Sequence, residues 1–175
     1  GAYLLRQIWE RLGLQTVLAK ALAKRHFASP VGWAIFAMVA NRALAPDSKR
    51  GVEDWVMDDV ALGNPEPISL QTLYRAMDFL LAQDAELQRE VFFATADLLN
   101  LEVDLLFFDT TSTYVECEEE DDFRRFGHSK DSRPDRPQVV IGLAVTKEGL
   151  PVRCWVLPGN TQDMTTVEMI KTDLR

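Results

Sequence analysis

Residues 103–116 read VDLLFFDTTSTYVE, a run of large apolar residues that ends on an acid and continues into β-branched and aromatic residues. Such a run predicts a central strand that is buried on both faces of a sheet. Asp109 then lies inside the sheet, where an unpaired carboxylate costs several kcal/mol. Asp109 therefore needs a hydrogen-bond donor or a cation. The purely structural interpretation is a strand-end Asp bonded to Thr110 or Thr111.

Length and composition are those of a globular protein. The chain has 175 residues, 47% hydrophobic and 26% charged, which is enough for one core or for a helical domain plus part of another. The longest apolar stretch, near residues 33–40, is far shorter than the roughly 20 residues that cross a bilayer. We therefore expect no membrane segment. Cys117 and Cys154 form no CxxC pair and have no ligand-spaced histidines, which favours a reduced, cytoplasmic setting without zinc.

Charge is distributed unevenly along the chain. Residues 1–50 carry eight Lys or Arg and two acids, a net charge of +6, whereas residues 51–126 carry 19 acids and four Arg, a net charge of −15. A basic first part permits nucleic-acid binding through one face despite the overall charge of −8, because phosphate contacts depend on local charge. Solvated helix faces explain the same pattern equally well.

The first hundred residues show helical periodicity and helix-capping signals. Helices are predicted over residues 3–25 with a break near Gly13, 31–44, 52–62, 70–81 and 85–99. Their predicted N-caps are Ser29, Ser69 and Asp84. Between them, residues 49–51 are interpreted as a surface turn and residues 63–67 as a linker. The core of this region is expected to include Trp33, Phe36 and Met38. A basic helix such as 19–25 is a candidate for DNA docking, although no helix-turn-helix motif is recognisable.

The periodicity changes after Asp104. Gln138–Thr146 (QVVIGLAVT) and residues 151–157 (PVRCWVL) predict two antiparallel strands, joined by a turn at 147–150. A final helix is predicted over residues 164–175. With the strand at Asp109, these elements make three antiparallel strands followed by a helix.

The segment between the first two strands, residues 117–137, is predicted to be a long polar surface loop. Its acidic run at 118–122 is interpreted as a solvated loop rather than a cation site. His26 and His128 are isolated, so neither is assigned to catalysis. Asp163 is interpreted as the cap of the final helix.

Three stretches, in this order, resemble the DDE transposases of bacterial insertion sequences, in the broad group that includes the fourth insertion-sequence family. They are FFDTTSTYVE at 107–116, GHSKDSRPDRPQVVIGLAVTKEGLPV at 127–152 and LPGNTQDM at 157–164. The resemblance implies an α+β fold with two domains. Residues 1–102 would form a helical region for DNA binding or dimerisation. Residues 103–175 would begin an RNase H-like mixed sheet, truncated after three antiparallel strands and a helix.

The resemblance also implies a chemistry. Asp109 matches the first Asp of the family's catalytic acidic triad and would bind Mg²⁺ or Mn²⁺. In that chemistry two metal ions about 3.5 to 4 Å apart clamp an in-line phosphoryl displacement. Water is the nucleophile for strand nicking, and the freed 3′-hydroxyl is the nucleophile for strand transfer. Lys130, Arg133 and Arg136 lie in a shared motif and would meet the DNA backbone, with a counter-charged loop as the alternative.

The partners that the resemblance implies are double-stranded DNA, at terminal repeats and target, and further copies of the same chain. The expected location is the bacterial cytoplasm, at the nucleoid. The family's second Asp and its Glu are expected beyond residue 175, because the second Asp follows the strand after the first helix. Asp163 precedes that helix and is not taken as the second acid. One carboxylate cannot assemble a two-metal site, so this stretch alone is expected to be inactive.

Three interpretations remain open. The first is the amino-terminal part of a transposase. The second is a transposase-derived DNA-binding or interaction protein in which Asp109 has lost its role. The third is an unrelated α+β domain with a structural Asp109, which requires three ordered motifs to coincide by chance.

Overall fold

The structure of the protein is a computed structural model that describes residues 1–24, 30–60, 67–99 and 106–173. The predicted α+β class is confirmed: six helices are followed by a three-stranded antiparallel sheet and a final helix. The chain divides into two compact units, Gly1–Leu101 and Glu102–Arg175. Within the described ranges, no helix is long and apolar enough to cross a membrane. The predicted Ser29 cap, His26 and most of the 63–67 linker lie outside these ranges.

The elements follow the predicted order. The helical unit contains α1 (Ala2–Arg11), α2 (Leu14–Ala23), α3 (Val31–Leu44), α4 (Lys49–Asp58), α5 (Leu70–Ala82) and α6 (Asp84–Leu99). The sheet unit contains β1 (Leu106–Tyr114), β2 (Gln138–Thr146), β3 (Pro151–Pro158) and α7 (Asp163–Asp173). Asp84, predicted as a cap, is the first residue of α6. The side chain of Asp163 is not among those that the structure describes, so its role as a helix cap stays a prediction.

The predicted break near Gly13 is confirmed. Gly13 has a φ of 71°, in the left-handed region where a residue with a Cβ is strained. Its carbonyl accepts the N–H of Val17 at 3.1 Å and so begins α2. A glycine at this point lets the chain turn and start a second helix at once.

Serine side chains fix the starts of α4 and α5. Ser69 Oγ accepts the N–H of Thr72 at 3.2 Å, which confirms the predicted cap. Ser48 Oγ accepts the N–H of Gly51 at 3.1 Å, so α4 begins three residues before its predicted start. The predicted surface turn at 49–51 is therefore wrong. These polar residues form the first turn of a helix, and apolar periodicity detects only the part of a helix that faces the core.

One hydrophobic core joins the helices of the helical unit. Leu73 of α5 and Val31 of α3 are fully buried. Phe36, predicted for the core, is buried as well. The predicted core residues Trp33 and Met38 are partly buried and pack against the core cluster. The Trp33 and Phe36 rings stack with centroids 5.5 Å apart. Burial of large side chains, at about 1.5 to 3 kcal/mol each, is the main term that holds this unit together.

The sheet order is β1-β2-β3, so β2 is the central strand of the described sheet. The prediction that β1 is central and buried on both faces is wrong. Its positions alternate instead: Thr110 and Ser112 are buried, Phe107 is 52% exposed and Asp109 is exposed. The apolar run suggested burial on both faces. The described residues leave one face of the sheet uncovered, however, and every second residue of a strand lies on that face.

Aromatic packing fixes β1 against its neighbours. Thr110 lies opposite Gly142 in the antiparallel register. The Phe108 ring packs edge-on against Trp155 of β3, with centroids 5.9 Å apart. A Cβ at Gly142 would lie 3.0 Å from the Phe108 ring, so the glycine leaves room for this contact. The contact joins β1 to β3 across β2, while the ladder with β2 places Asp109 opposite Leu143.

We expect Leu73→Ala to lower the free energy of unfolding of the helical unit by about 3 kcal/mol, because Leu73 is 0% exposed and its loss leaves a cavity. The matched control is Leu81→Ala in the same helix, because Leu81 is 80% exposed. This variant should change the free energy of unfolding by less than about 0.5 kcal/mol. Urea unfolding followed by the helical circular dichroism signal measures both. Equal losses in the two variants would contradict the packing of α5.

Candidate functional site

Three separate stretches of the sheet unit line one open cavity of about 370 Å³. The first wall is residues 110–112 of β1, and the second is the part of the long loop at 127–130. The third wall is residues 159–162, just before α7, and Val140 of β2 forms the floor. These walls belong to the three stretches that carry the resemblance. The fold therefore brings together what the sequence keeps apart.

Lys130 joins the long loop to β1. Its backbone N–H donates to Ser112 Oγ at 3.0 Å. Its ammonium donates to the carbonyl oxygen of Thr110 and, at 3.2 Å, to Thr110 Oγ1. Among the described side chains, the Lys130 ammonium forms no ion pair with a carboxylate within 4 Å. Lys130 thus lines the cavity as a cation whose bonded partners are neutral.

Asp109 lies beside this cavity on the opposite face of β1. Its Oδ1 accepts the N–H of Thr110 at 2.8 Å, which is the bond that the structural interpretation expected. The predicted burial of Asp109 is wrong, because its side chain lies on the face of the sheet that the described residues leave uncovered, where Leu143 of the central strand is exposed as well. An exposed carboxylate has no desolvation cost that a partner must offset. The structural interpretation and a role in binding are both compatible with this geometry.

Thr110 is held from both sides at the open edge of β1. In an antiparallel pair, alternate residues direct their N–H and C=O groups away from the partner strand. The Thr110 N–H is taken by the Asp109 carboxylate and the Thr110 C=O by the Lys130 ammonium. One residue therefore links the candidate acid to the candidate DNA-contacting cation.

The described residues do not form a metal site. No group of three or more His, Cys, Asp or Glu side chains among them is placed to hold an ion. Mg²⁺ is bound through carboxylates and other oxygens at near-octahedral geometry, and Asp109 supplies one carboxylate. By themselves these residues do not fit the Mg²⁺ or Mn²⁺ that the resemblance implies. A metal at Asp109 would need ligands from residues outside the described ranges.

The guanidinium groups of Arg133 and Arg136 form ion pairs with nearby acids. Arg133 pairs with Asp135 at 2.8 Å and with Glu116 at 3.3 Å, and its guanidinium lies 4.9 Å from the centre of the Tyr114 ring. Arg136 pairs with Glu116 at 3.3 Å. The hydrogen bond from Arg133 lowers the pKa of Asp135. This is the counter-charged loop that was the alternative to DNA contact, and of the three candidate cations only Lys130 lines the cavity.

Gln138 supports two walls of the cavity, and sequence reasoning missed it. The residue is 1% exposed, and its Nε2 donates to the carbonyl of His128 at 3.0 Å and to that of Gly159 at 2.9 Å. Its backbone exchanges two hydrogen bonds with Arg125. A polar residue at the start of an otherwise apolar strand was the one signal that could have identified it.

Close backbone contacts at the same point require glycine. A Cβ on Gly159 would overlap the carbonyl oxygens of Gln138 and Arg125. A Cβ on Gly127 would overlap the carbonyl oxygen of Gly159. The second and third walls are therefore in contact at Gly127 and Gly159, next to Gln138.

The acidic run at 118–122 is exposed, as predicted for a solvated loop. Asp121 closes a turn by accepting the N–H groups of Arg124 at 2.6 Å and Phe123 at 2.9 Å. These backbone bonds, chiefly that of Arg124, and the Arg124 side chain lower the pKa of Asp121 to about 2. A cation is not needed to explain this carboxylate.

We expect Gln138→Ala to lower the free energy of unfolding of the sheet unit by about 2 kcal/mol, because the carbonyls of His128 and Gly159 lose their buried donor. Gln71→Ala, at an exposed position of α5, is the control and should have no comparable effect. Urea unfolding followed by the amide NMR signals of β2 measures the change in the sheet unit alone. A Gln138→Ala protein as stable as the control would show that these bonds do not hold the walls.

The contribution of the Asp121 turn to stability should depend on pH. Its folded pKa of about 2 lies below the ordinary value of 3.8, so its contribution to stability is present above pH 3.8 and is lost as the pH falls through 2. An NMR titration of the Asp121 carboxyl carbon measures this pKa. Arg124→Ala keeps both backbone donors and should raise the pKa only part of the way to 3.8. A complete return to 3.8 would contradict the dominance of the backbone bonds.

No protein-family model, no curated protein and no solved structure matches the chain. The resemblance to insertion-sequence transposases rests on the three quoted stretches. The structure adds an independent observation about these stretches, which is that each of them contributes a wall to one cavity.

Proposed function

We propose that this chain belongs to a DNA strand transferase of the DDE transposase class, with Asp109 as one of its catalytic acids. One observation carries the proposal. The stretches at 107–116, 127–152 and 157–164 are separate in sequence, yet each contributes residues to the same cavity beside Asp109.

The order of elements supports the same conclusion. A strand that carries an acid, a hairpin of two further antiparallel strands and then a helix is the order expected at the start of an RNase H-like domain. Phosphoryl transfer depends mainly on positioning and electrostatic stabilisation. A rigid strand is a suitable support for an acid that must be positioned well, and the Phe108 contact with Trp155 fixes this strand.

The chain's own residues suggest a division of tasks. Asp109 presents an exposed carboxylate on β1, and Lys130 presents an ammonium in the cavity on the other face of the strand. The basic part of the sequence, residues 1–50, lies in the helical unit and would add phosphate contacts. The implied partners are double-stranded DNA and further copies of the chain, at the nucleoid of the bacterial cytoplasm.

The proposal is tested first by sequencing the DNA downstream of the Arg175 codon. We expect the frame to continue into a strand that ends in Asp and later into a helix that carries Glu. A stop codon directly after Arg175 in an expressed gene would contradict a catalytic role. It would favour a transposase-derived DNA-binding or interaction protein instead.

In the protein made from the complete frame, Asp109→Asn should reduce divalent-metal-dependent cleavage of the terminal repeats by at least about 100-fold, because an amide cannot replace an anionic ligand. The substitution keeps the oxygen that accepts the Thr110 N–H, so β1 should stay folded. Asp78→Asn, at an exposed position of α5, is the matched control and should retain full activity. Cleavage that survives Asp109→Asn would remove Asp109 from the site.

A further inference from the structure

Several residues that line the cavity beside β1 carry side chains that can donate hydrogen bonds. They include Lys130, His128, Ser112, Thr161 and Asn160. None of the lining residues in the described ranges is an acid. The volume of about 370 Å³ lies in the range of roughly 300 to 1,000 Å³ that is typical of small-ligand sites. Donors that converge without a competing carboxylate favour an anionic ligand.

Lys130 provides the charge for such a ligand. An ammonium has three N–H donors, and two are used on the carbonyl and hydroxyl oxygens of Thr110. Both of these acceptors are neutral, and no described carboxylate pairs with Lys130, so the third donor and the positive charge remain for a ligand in the cavity. Arg133 and Arg136 differ, because carboxylates already neutralise them.

We propose that this cavity binds a single phosphate group through Lys130, with Ser112, Thr161 and Asn160 as further donors. A tetrahedral phosphate presents several acceptor oxygens and matches a cation surrounded by hydroxyl and amide donors. In the proposed function this is a phosphodiester of the DNA strand. That identification rests on the proposed function, whereas the phosphate site itself does not.

The position of the cavity gives the phosphate a task. The Thr110 C=O is bonded to Lys130 and the Thr110 N–H is bonded to Asp109. A phosphate held by Lys130 therefore lies across β1 from the candidate acid, which is on the opposite face of the strand, and it fixes the DNA strand relative to β1. Lys130 acts as a binding and positioning residue here. Arg133 and Arg136 stabilise the loop through their ion pairs with Glu116 and Asp135.

The test is a titration of the 175-residue chain with inorganic phosphate at low ionic strength, followed by the amide NMR signals of Ser112, Lys130 and Asn160. We expect saturable shifts that are confined to the cavity walls. Lys130→Met should weaken phosphate affinity at least about tenfold, because a charge-assisted hydrogen bond is lost. Lys147→Met removes an exposed lysine from the turn between β2 and β3, outside the cavity, and should leave the affinity unchanged.

Further variants separate binding from folding. Lys130 also holds the loop to β1, so Thr161→Val, which removes a lining hydroxyl at nearly constant shape, should weaken affinity about threefold to tenfold. Asp109→Asn should keep phosphate binding, so failure of the acid's role and failure of this site are distinguishable. Shifts that never saturate, or equal losses in Lys130→Met and Lys147→Met, would overturn the phosphate site.

A second arm identifies the source of the phosphate. A short duplex oligonucleotide should displace inorganic phosphate from the cavity. Lys130→Met should lower the affinity for the oligonucleotide by about the same factor as the affinity for phosphate. Arg136→Gln should leave oligonucleotide affinity within about twofold. Phosphate binding without competition by the oligonucleotide would overturn the assignment to DNA, as would a loss in Arg136→Gln equal to that in Lys130→Met.

Discussion

The buried amide of Gln138 is the contact on which the sheet unit depends. Its Nε2 donates to the carbonyls of His128 and Gly159, which belong to two segments that would otherwise be independent. A buried carbonyl without a donor costs about 1 to 3 kcal/mol, so these bonds favour the one arrangement in which both segments stand against β1. The walls of the cavity, and the contact of Lys130 with Thr110, follow from that arrangement.

The apolar composition of β1 disagrees with the exposure of its side chains. A strand with this apolar content suits burial on both faces, yet Phe107 is 52% exposed and Leu143, on the same face of β2, is 41% exposed. Open edges tend to pair with other strands, and charged side chains at an edge oppose such pairing. Asp109 and Lys130 cover the peptide groups of Thr110 in this way. A larger sheet in the transposase proposal would bury the same face.

Helices and strands that are encoded by local sequence patterns were predictable from the sequence. The strand-forming runs of β2 and β3 on either side of a turn, and the cap at Ser69, gave boundaries close to the observed ones, because neighbouring residues encode them. Asp109 and Lys130 were identifiable because they lie in quoted motifs. The edge position of β1 was not predictable, since it depends on which strands pair. The same holds for Gln138 and for the pairing of Arg133 with Glu116, which are contacts between distant segments.

Charge limits how the sheet unit can meet a nucleic acid. Most of its arginines are paired with nearby acids, as Arg124 is with Asp121 and Arg136 is with Glu116, so they present little net positive charge. Pairs at the surface are also screened within about 8 to 10 Å at physiological salt. Attraction over distance would then come from the basic residues 1–50. In the proposed function, recognition by the sheet unit would be a short-range contact in the cavity, where Lys130 would meet one phosphate.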